Sequence, residues 1–194
     1  PIIVVVTNPL DIMAHIVYKE TGLDPKRVIG MAGLLDSSRM NLMVSRAAKK
    51  SLGEVDSLVL GTHGATMAPI TSHSRVGTEK LSDTLSTDEV NKILDATKGR
   101  GAEIVAYLGA GSAYYAPSAG VFRMVKAIVN DTKEILPCSC FLQGSYGFNN
   151  IYLGVPAKIG RDGVEEIIEL DLTENETALL KAAADSVAKK IASL

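Results

Sequence analysis

The chain opens on Ile2-Ile3-Val4-Val5-Val6, an unbroken β-branched run. That is the pattern of a strand covered on both faces, not of one that alternates between core and solvent. Apolar residues then recur at helical spacing, Leu10, Met13, Ala14, Val17 and Tyr18, as far as Gly22. Asn8 reads as the N-cap of this helix and Pro9 as its first position. Arg27 to Gly30 read as a short strand or turn. A helix is expected from about Asp36 to Leu52, closing near Gly53 with Lys49 and Lys50 in its last turn, where cations suit the dipole. Strands are expected over Ser57–Leu60 and Ile70–Val76. Ser86 with Glu89 makes a capping box for a helix through about Thr97. Gly101–Leu108 and Ala116–Asn130 read as two more helices, the second with Val121, Met124, Val125 and Ile128 as its apolar stripe. Ile135–Leu142, Ile151–Pro156 and Val164–Leu170 read as strands of an antiparallel sheet. Thr173 with Glu176 opens a final helix that turns Leu180, Ala184, Val187 and Ile191 to the core. The fold class is therefore α+β, helices packed on an antiparallel sheet. Ahead of it stands a βα unit, residues 1–22, that reads as the end of a larger α/β domain, because a doubly covered strand needs parallel neighbours.

Composition narrows the classes. The 194 residues are 46% hydrophobic and 22% charged, enough for one sizeable domain or a small pair. A net charge of -2 gives no basic surface for nucleic acid and no cationic face for a membrane. No apolar run approaches a membrane span, and no signal-peptide pattern stands at the start. Cys138 and Cys140 are the only cysteines. Read as strand residues pointing to opposite faces, they suit neither a disulfide nor a metal pair, and no metal site is expected. Reduced structural thiols of a cytoplasmic protein are the expectation.

Candidate chemistry centres on Gly61-Thr62-His63-Gly64-Ala65-Thr66-Met67-Ala68-Pro69, where a glycine-bracketed histidine follows the apolar Leu58-Val59-Leu60. Imidazole both gives and takes protons near neutrality, so a histidine at a strand edge is a candidate acid/base. The plainer reading is a loop histidine that satisfies backbone groups. Upstream, in Leu34-Leu35-Asp36-Ser37-Ser38-Arg39, Asp36 and Arg39 stand three apart and share a helix face. An aspartate beside a histidine fixes its tautomer, and an arginine grips a carboxylate with a planar fork. Alone, these two also read as a capping Asp and a solvated Arg. Asp11 and His15 on the first helix read as solvated or capping groups, and His73 as a structural or interface residue. Gly109-Ala110-Gly111 lacks the third glycine and the preceding strand of a dinucleotide fingerprint. Gly144-Ser145-Tyr146-Gly147 has the wrong spacing for a nucleophile elbow and reads as a hairpin turn.

Four stretches in order resemble one family. Val5-Val6-Thr7-Asn8-Pro9-Leu10-Asp11, Val28 through Arg39, Gly61-Thr62-His63-Gly64 and Gly111-Ser112-Ala113-Tyr114-Tyr115-Ala116-Pro117 are similar, in order and spacing, to the lactate/malate dehydrogenases. The likeness is closest to the lactate-dehydrogenase-like malate dehydrogenases and covers essentially the whole chain. It corresponds to their C-terminal catalytic half plus the last unit of the NAD-binding Rossmann domain. The resemblance implies residues 1–22 as the Rossmann remnant and 23–194 as the substrate-binding domain. It implies His63 as acid/base, Asp36 as its partner, and Arg39 as holder of the substrate C1 carboxylate. Asn8 would hydrogen-bond the substrate, and Val6, Thr7 and Asn8 would adjoin the nicotinamide end of NAD. It further implies a homo-oligomer, dimer or tetramer, and a small dicarboxylate substrate.

Two features lean towards malate over lactate. Met31-Ala32-Gly33 matches the malate type, and Ala113 stands where lactate enzymes carry a threonine, leaving room for a second carboxylate. Two residues depart from the family pattern: Ala65, where an acidic residue usually follows His-Gly, and Met40, where an aromatic usually follows the arginine. As a fragment without most of the NAD domain, the chain is expected to be inactive alone. The alternatives are an L-lactate or other 2-hydroxy acid dehydrogenase, or a non-catalytic oligomerisation domain.

Overall fold

The longest ladder in the molecule joins β6 (Glu134–Gln143) to β7 (Asn149–Gly160), antiparallel from Glu134↔Ile159 to Gln143↔Asn149. The turn between them is the hairpin expected at Gly144–Gly147, with Gly144 at φ 110°. Leu136, Cys138, Cys140 and Leu142 alternate onto one face beside Ile151, Leu153, Val155, Ala157 and Ile159. That face packs on Met124 and Ala127 of α5 (Tyr115–Val129) and on Leu180, Ala183, Ala184 and Val187 of α6 (Glu174–Ile191). Tyr152 points the other way and joins Leu10 and Ala14 of α1 (Leu10–Thr21) in a second cluster.

The computed structural model, which describes residues 1–194, extends this hairpin into one eight-stranded mixed sheet. On one side β6 meets β2 (Val28–Gly30) at Ser139↔Gly30, and β2 runs parallel to β1 (Ile3–Val5). On the other side β7 meets β3 (Val55–Gly61) at a single position, Gly154↔Gly61, and β3 continues into β4 (Met67–Val76) and the short β5 (Glu79–Lys80). β8 (Gly163–Ile167) pairs with the last residues of β7. A Cβ on Gly154 would collide with the carbonyl of Gly61, so only glycine lets the two strands cross this closely. The remaining helices, α2 (Gly33–Ala48), α3 (Leu81–Thr84) and α4 (Thr87–Leu108), pack a third cluster around Met40, Val44, Val59, Met67, Leu81 and Ile93. No helix is long and apolar enough to cross a membrane.

The α+β class stands, and several local expectations do not. β1 has three residues, fewer than the apolar run Ile2–Val6, and its parallel neighbour is β2, delivered by α1 in a βαβ unit. Pro9 is extended (ψ 116°) and takes the N-cap place itself, so Asn8 does not cap α1. α2 begins at Gly33 and ends at Ala48, capped by Lys49 with a left-handed φ of 54°; the stretch to Glu54 is a separate turn with its own Ser51–Glu54 capping box. The two helices expected on either side of residues 98–100 are one helix, α4: Gly99 and Gly101 cost about 1 kcal/mol each, too little to end a capped helix. The β strands run slightly longer than expected at β3, β4 and β7, while β8 stops at Ile167. Cys138 and Cys140, two residues apart, share a face because side chains alternate along a strand. Their Sγ atoms lie 3.5 Å apart, both buried and both free thiols. The hydrogen bond with Cys138 and burial push the Cys140 thiol up.

Candidate functional site

The site grows out of how α2 is fastened to β3. Because β7 touches β3 only at Gly61, the N–H groups of Ser57 and Val59 on that edge have no strand partner. Side chains of α2 take them: Asn41 Oδ1 accepts Ser57 N–H at 2.7 Å and Ser37 Oγ accepts Val59 N–H at 2.9 Å. Four helical residues advance about 6 Å and two strand residues about 6.6 Å, so two clips fit in register. The match runs antiparallel, which carries the start of α2 to the end of β3. There, Asp36 comes beside the loop that carries His63.

Asp36 is buried, 1% exposed, and both carboxylate oxygens are used. Oδ2 lies 2.7 Å from His63 Nδ1, and Oδ1 accepts Arg39 Nη1 at 3.1 Å. A carboxylate can only accept, so the proton in the His63–Asp36 bond sits on Nδ1 and Nε2 is left for other work. The Arg39 side chain is 12% exposed; its Nε is buried with no partner, and only Nη1 is bonded to protein. A half-buried guanidinium with unspent donors can receive an anion. α4 lies beside it: a Cβ on Gly101 would sit 3.6 Å from Nη1.

The His63 loop is a short excursion. Thr62 and Thr66 hydroxyls meet at 2.7 Å across it, and Gly64 N–H and Met67 N–H close turns onto Thr62 and Gly64 carbonyls. Behind it lies a cavity of about 150 Å³ lined by Pro9, Leu10 and Asp11 of the first helical segment, by Ala65, and by Ser186 and Lys190 of α6. Among the residues expected to act, His63, Asp36 and Arg39 are hydrogen-bonded into one chain. Val6, Thr7 and Asn8 are exposed just past the C-terminal end of β1. Ala113 lies in the loop between α4 and α5, without a hydrogen bond to that chain.

Two expectations about the surroundings are corrected. Asp11 is not solvated but 4% exposed, and it accepts Ser139 Oγ at 2.6 Å and the His63 backbone N–H at 3.4 Å. Burial, outweighing these hydrogen bonds, pushes its carboxyl up to about 6. His15 is likewise 7% exposed, and burial lowers its affinity for a proton. His73 behaves as expected of a structural residue, its Nε2 2.9 Å from the Asp171 carbonyl. Met40, at the family departure, is fully buried in the α2–α4 cluster, and Ala65 lines the cavity behind the loop.

The whole fold is similar to that of known proteins. The family described as lactate/malate dehydrogenase, alpha/beta C-terminal domain, matches residues 34–194. A malate dehydrogenase of Chlorobium phaeobacteroides is 46% identical over 185 residues, which is 95% of this chain and 60% of that protein. The solved malate dehydrogenase from Aeropyrum pernix superposes with a TM-score of 0.96 at 42% identity, covering 100% of this chain and 64% of its own. The lactate dehydrogenase from Eimeria maxima, solved with NADH and oxamate, gives a TM-score of 0.93 at 37% identity over 96% of this chain and 58% of its own. The chain thus spans about 60% of the length of the relatives it matches.

Proposed function

Because this chain belongs to the lactate/malate dehydrogenase family, we propose that it is the substrate-binding, proton-transferring part of an NAD-dependent malate dehydrogenase. The observation that carries the reading is the chain Arg39–Asp36–His63, in which one buried carboxylate fixes both an imidazole and a guanidinium. Residues 23–194 then act as the substrate domain and 1–22 as the end of a nucleotide domain. NAD, when bound, supplies or accepts the hydride at the substrate's C2. Val6, Thr7 and Asn8 fit its nicotinamide end: they are exposed at the carboxyl end of a parallel strand, where α/β sheets bind such ligands.

The chain's own residues do the rest. His63, protonated, gives the proton on Nε2 to the keto oxygen; neutral, it takes that proton back from the 2-hydroxyl. Asp36 keeps Nδ1 protonated and stabilises the cationic ring. Arg39 receives the C1 carboxylate on its spare donors, which sets the face of C2 presented for reduction. Asn8 hydrogen-bonds the substrate, and the small Ala113 leaves space for the second carboxylate of malate. The exposed Phe122, Val125 and Val129 along α5 support self-association into a dimer or tetramer. The buried free thiols suit a cytoplasmic setting.

The test is NADH oxidation by the complete dehydrogenase polypeptide with oxaloacetate and with pyruvate. Oxaloacetate is expected to give the larger kcat/KM by about 100-fold or more, the size of effect that a paired buried charge produces. A preference for pyruvate would make it a lactate dehydrogenase. The chain 1–194 alone is expected to leave NADH unoxidised, and turnover by it would overturn the division of labour between the two parts.

A further inference from the structure

We propose that Asp11 is a positioning residue of this reaction, holding the main chain at His63 so that Asp36 and the substrate meet the two ring nitrogens together. The inference rests on the function proposed above. His63 has two fixed points: Asp36 holds the ring, and Asp11 is the side chain bonded to its backbone N–H. Without the second point the ring can keep its Asp36 bond while the loop swings, because the loop's other hydrogen bonds, Thr62 to Thr66 and the turns onto the Thr62 and Gly64 carbonyls, lie within the loop itself. A Cβ on Gly64 would meet nothing within 4 Å, Ala65 is exposed, and a cavity of about 150 Å³ lies behind.

Asp11 itself is anchored. Its other oxygen accepts the hydroxyl of Ser139, which is fully buried on β6. Ser139 is pressed into place by β2: a Cβ on Gly30 would sit 2.7 Å from Ser139 Cβ and 3.3 Å from Leu10 Cγ, so glycine there makes the space that Ser139 and the start of α1 fill. A line of contacts thus runs from β2 through Ser139 and Asp11 to His63. α1, which carries Asp11, is joined to Asn8 through its N-cap Pro9, so the same helix registers the proposed substrate and cofactor contacts against the acid/base.

A carboxylate accepts two hydrogen bonds at once better than a carboxylic acid does, so the support weakens on protonation. Asp11 takes a proton near pH 6. The groups around it are His63 on the loop, with Asp36 of α2 behind that ring; His15, one turn along α1; and Lys190 of α6 across the cavity. β6 and β2 offer only Ser139 and Gly30 at this point, neither charged.

The experiment uses the complete enzyme in the reductive direction, oxaloacetate with NADH, where a protonated His63 is the competent form and does not itself depress the rate in acid. Asp11→Ala is expected to lower kcat 10- to 100-fold with KM within threefold of wild type. Asp11→Asn mimics the protonated acid, accepting from His63 through one oxygen and donating to Ser139, so at every pH its kcat is expected to lie near the value the wild type reaches in acid. The wild type is expected to lose kcat between pH 6.5 and 5, and this variant is expected to lack that decline. If Asp11→Ala gives no folded protein, Ser139→Ala carries the test, with an expected fall in kcat of threefold or more. A merely structural Asp11 would change yield and melting temperature and leave kcat and its acid limb as in wild type; that result overturns the inference. His63→Asn, run alongside, separates the two readings. Full activity in that variant sinks the proposed function, whereas its inactivity with wild-type behaviour of the Asp11 and Ser139 variants sinks only the role of Asp11.

Discussion

Replacing His63 by asparagine in the complete enzyme is expected to lower kcat/KM by about 10³- to 10⁴-fold, the contribution typical of a positioned acid/base. Asparagine has nearly the reach of imidazole and can keep a hydrogen bond to Asp36, so the loop stays folded and the loss reports proton transfer. The deficit should fall mainly on kcat in both directions, because the spare Arg39 donors remain to hold the substrate carboxylate. Steady-state kinetics with malate and with oxaloacetate check this. A variant within tenfold of wild type would reduce His63 to a loop residue whose ring merely satisfies Asp36. Asp36→Asn is the natural companion: it leaves the shape but only one acceptor oxygen in place of two, so either His63 Nδ1 or Arg39 Nη1 loses its partner.

The second large effect belongs to Arg39. Arg39→Lys keeps the charge and discards the fork. The lysine ammonium has to choose between Asp36 and the substrate, whereas the guanidinium bonds Asp36 through Nη1 and keeps Nε and Nη2 over. Losing a two-point, charge-assisted grip in a buried place is worth roughly 3–4 kcal/mol, a 10²- to 10³-fold fall in kcat/KM. Unlike the His63 variant, this one should show its loss chiefly in KM, and oxamate-like carboxylate inhibitors should weaken in parallel. Unchanged inhibitor binding would move the carboxylate site away from Arg39.

Much of this was legible in the residues. The apolar runs Ile135–Leu142 and Ile151–Pro156 on either side of the Gly144–Gly147 turn announced the long hairpin, and the paired Ser86–Glu89 and Thr173–Glu176 announced two helix starts because a capping box is local chemistry. The three-residue spacing of Asp36 and Arg39 put both on one face of α2. Other features needed the tertiary structure. α2 has no capping side chain at Ala32, so its true start at Gly33 left no signal and Asp36 looked like the beginning. Gly99 and Gly101 looked like a break because a propensity says nothing about the Ile93 and Thr97 packing that carries α4 through. Asp11 read as a solvated first-turn acid, the ordinary meaning of an aspartate there; its real partners are a serine 128 positions away and a backbone amide 52 positions away. The clips from Ser37 and Asn41 to β3 are equally long-range, which is why the sequence named the site's chemistry but not its mounting.

Two buried carboxylates give this fold opposite responses to acid. Glu176 at the start of α6 feels burial, but hydrogen bonds from Ser72 and Thr173 win and hold it below its ordinary 4.5. Its contribution to stability is present above that value and is lost as the pH falls below it. Asp11 works the other way. The native state binds its proton at about 6 and a free carboxyl only at 3.8, so ionised Asp11 weakens the fold above pH 6, by up to about 3 kcal/mol on that difference. The penalty fades as the pH falls through 6 and is gone below 3.8. A denaturant midpoint that rises from pH 7 to pH 5 would display it. Against a typical margin of about 5–15 kcal/mol, that is a sizeable fraction given up to keep one anion beside a loop. The fold is strained most at the pH where the histidine is held best.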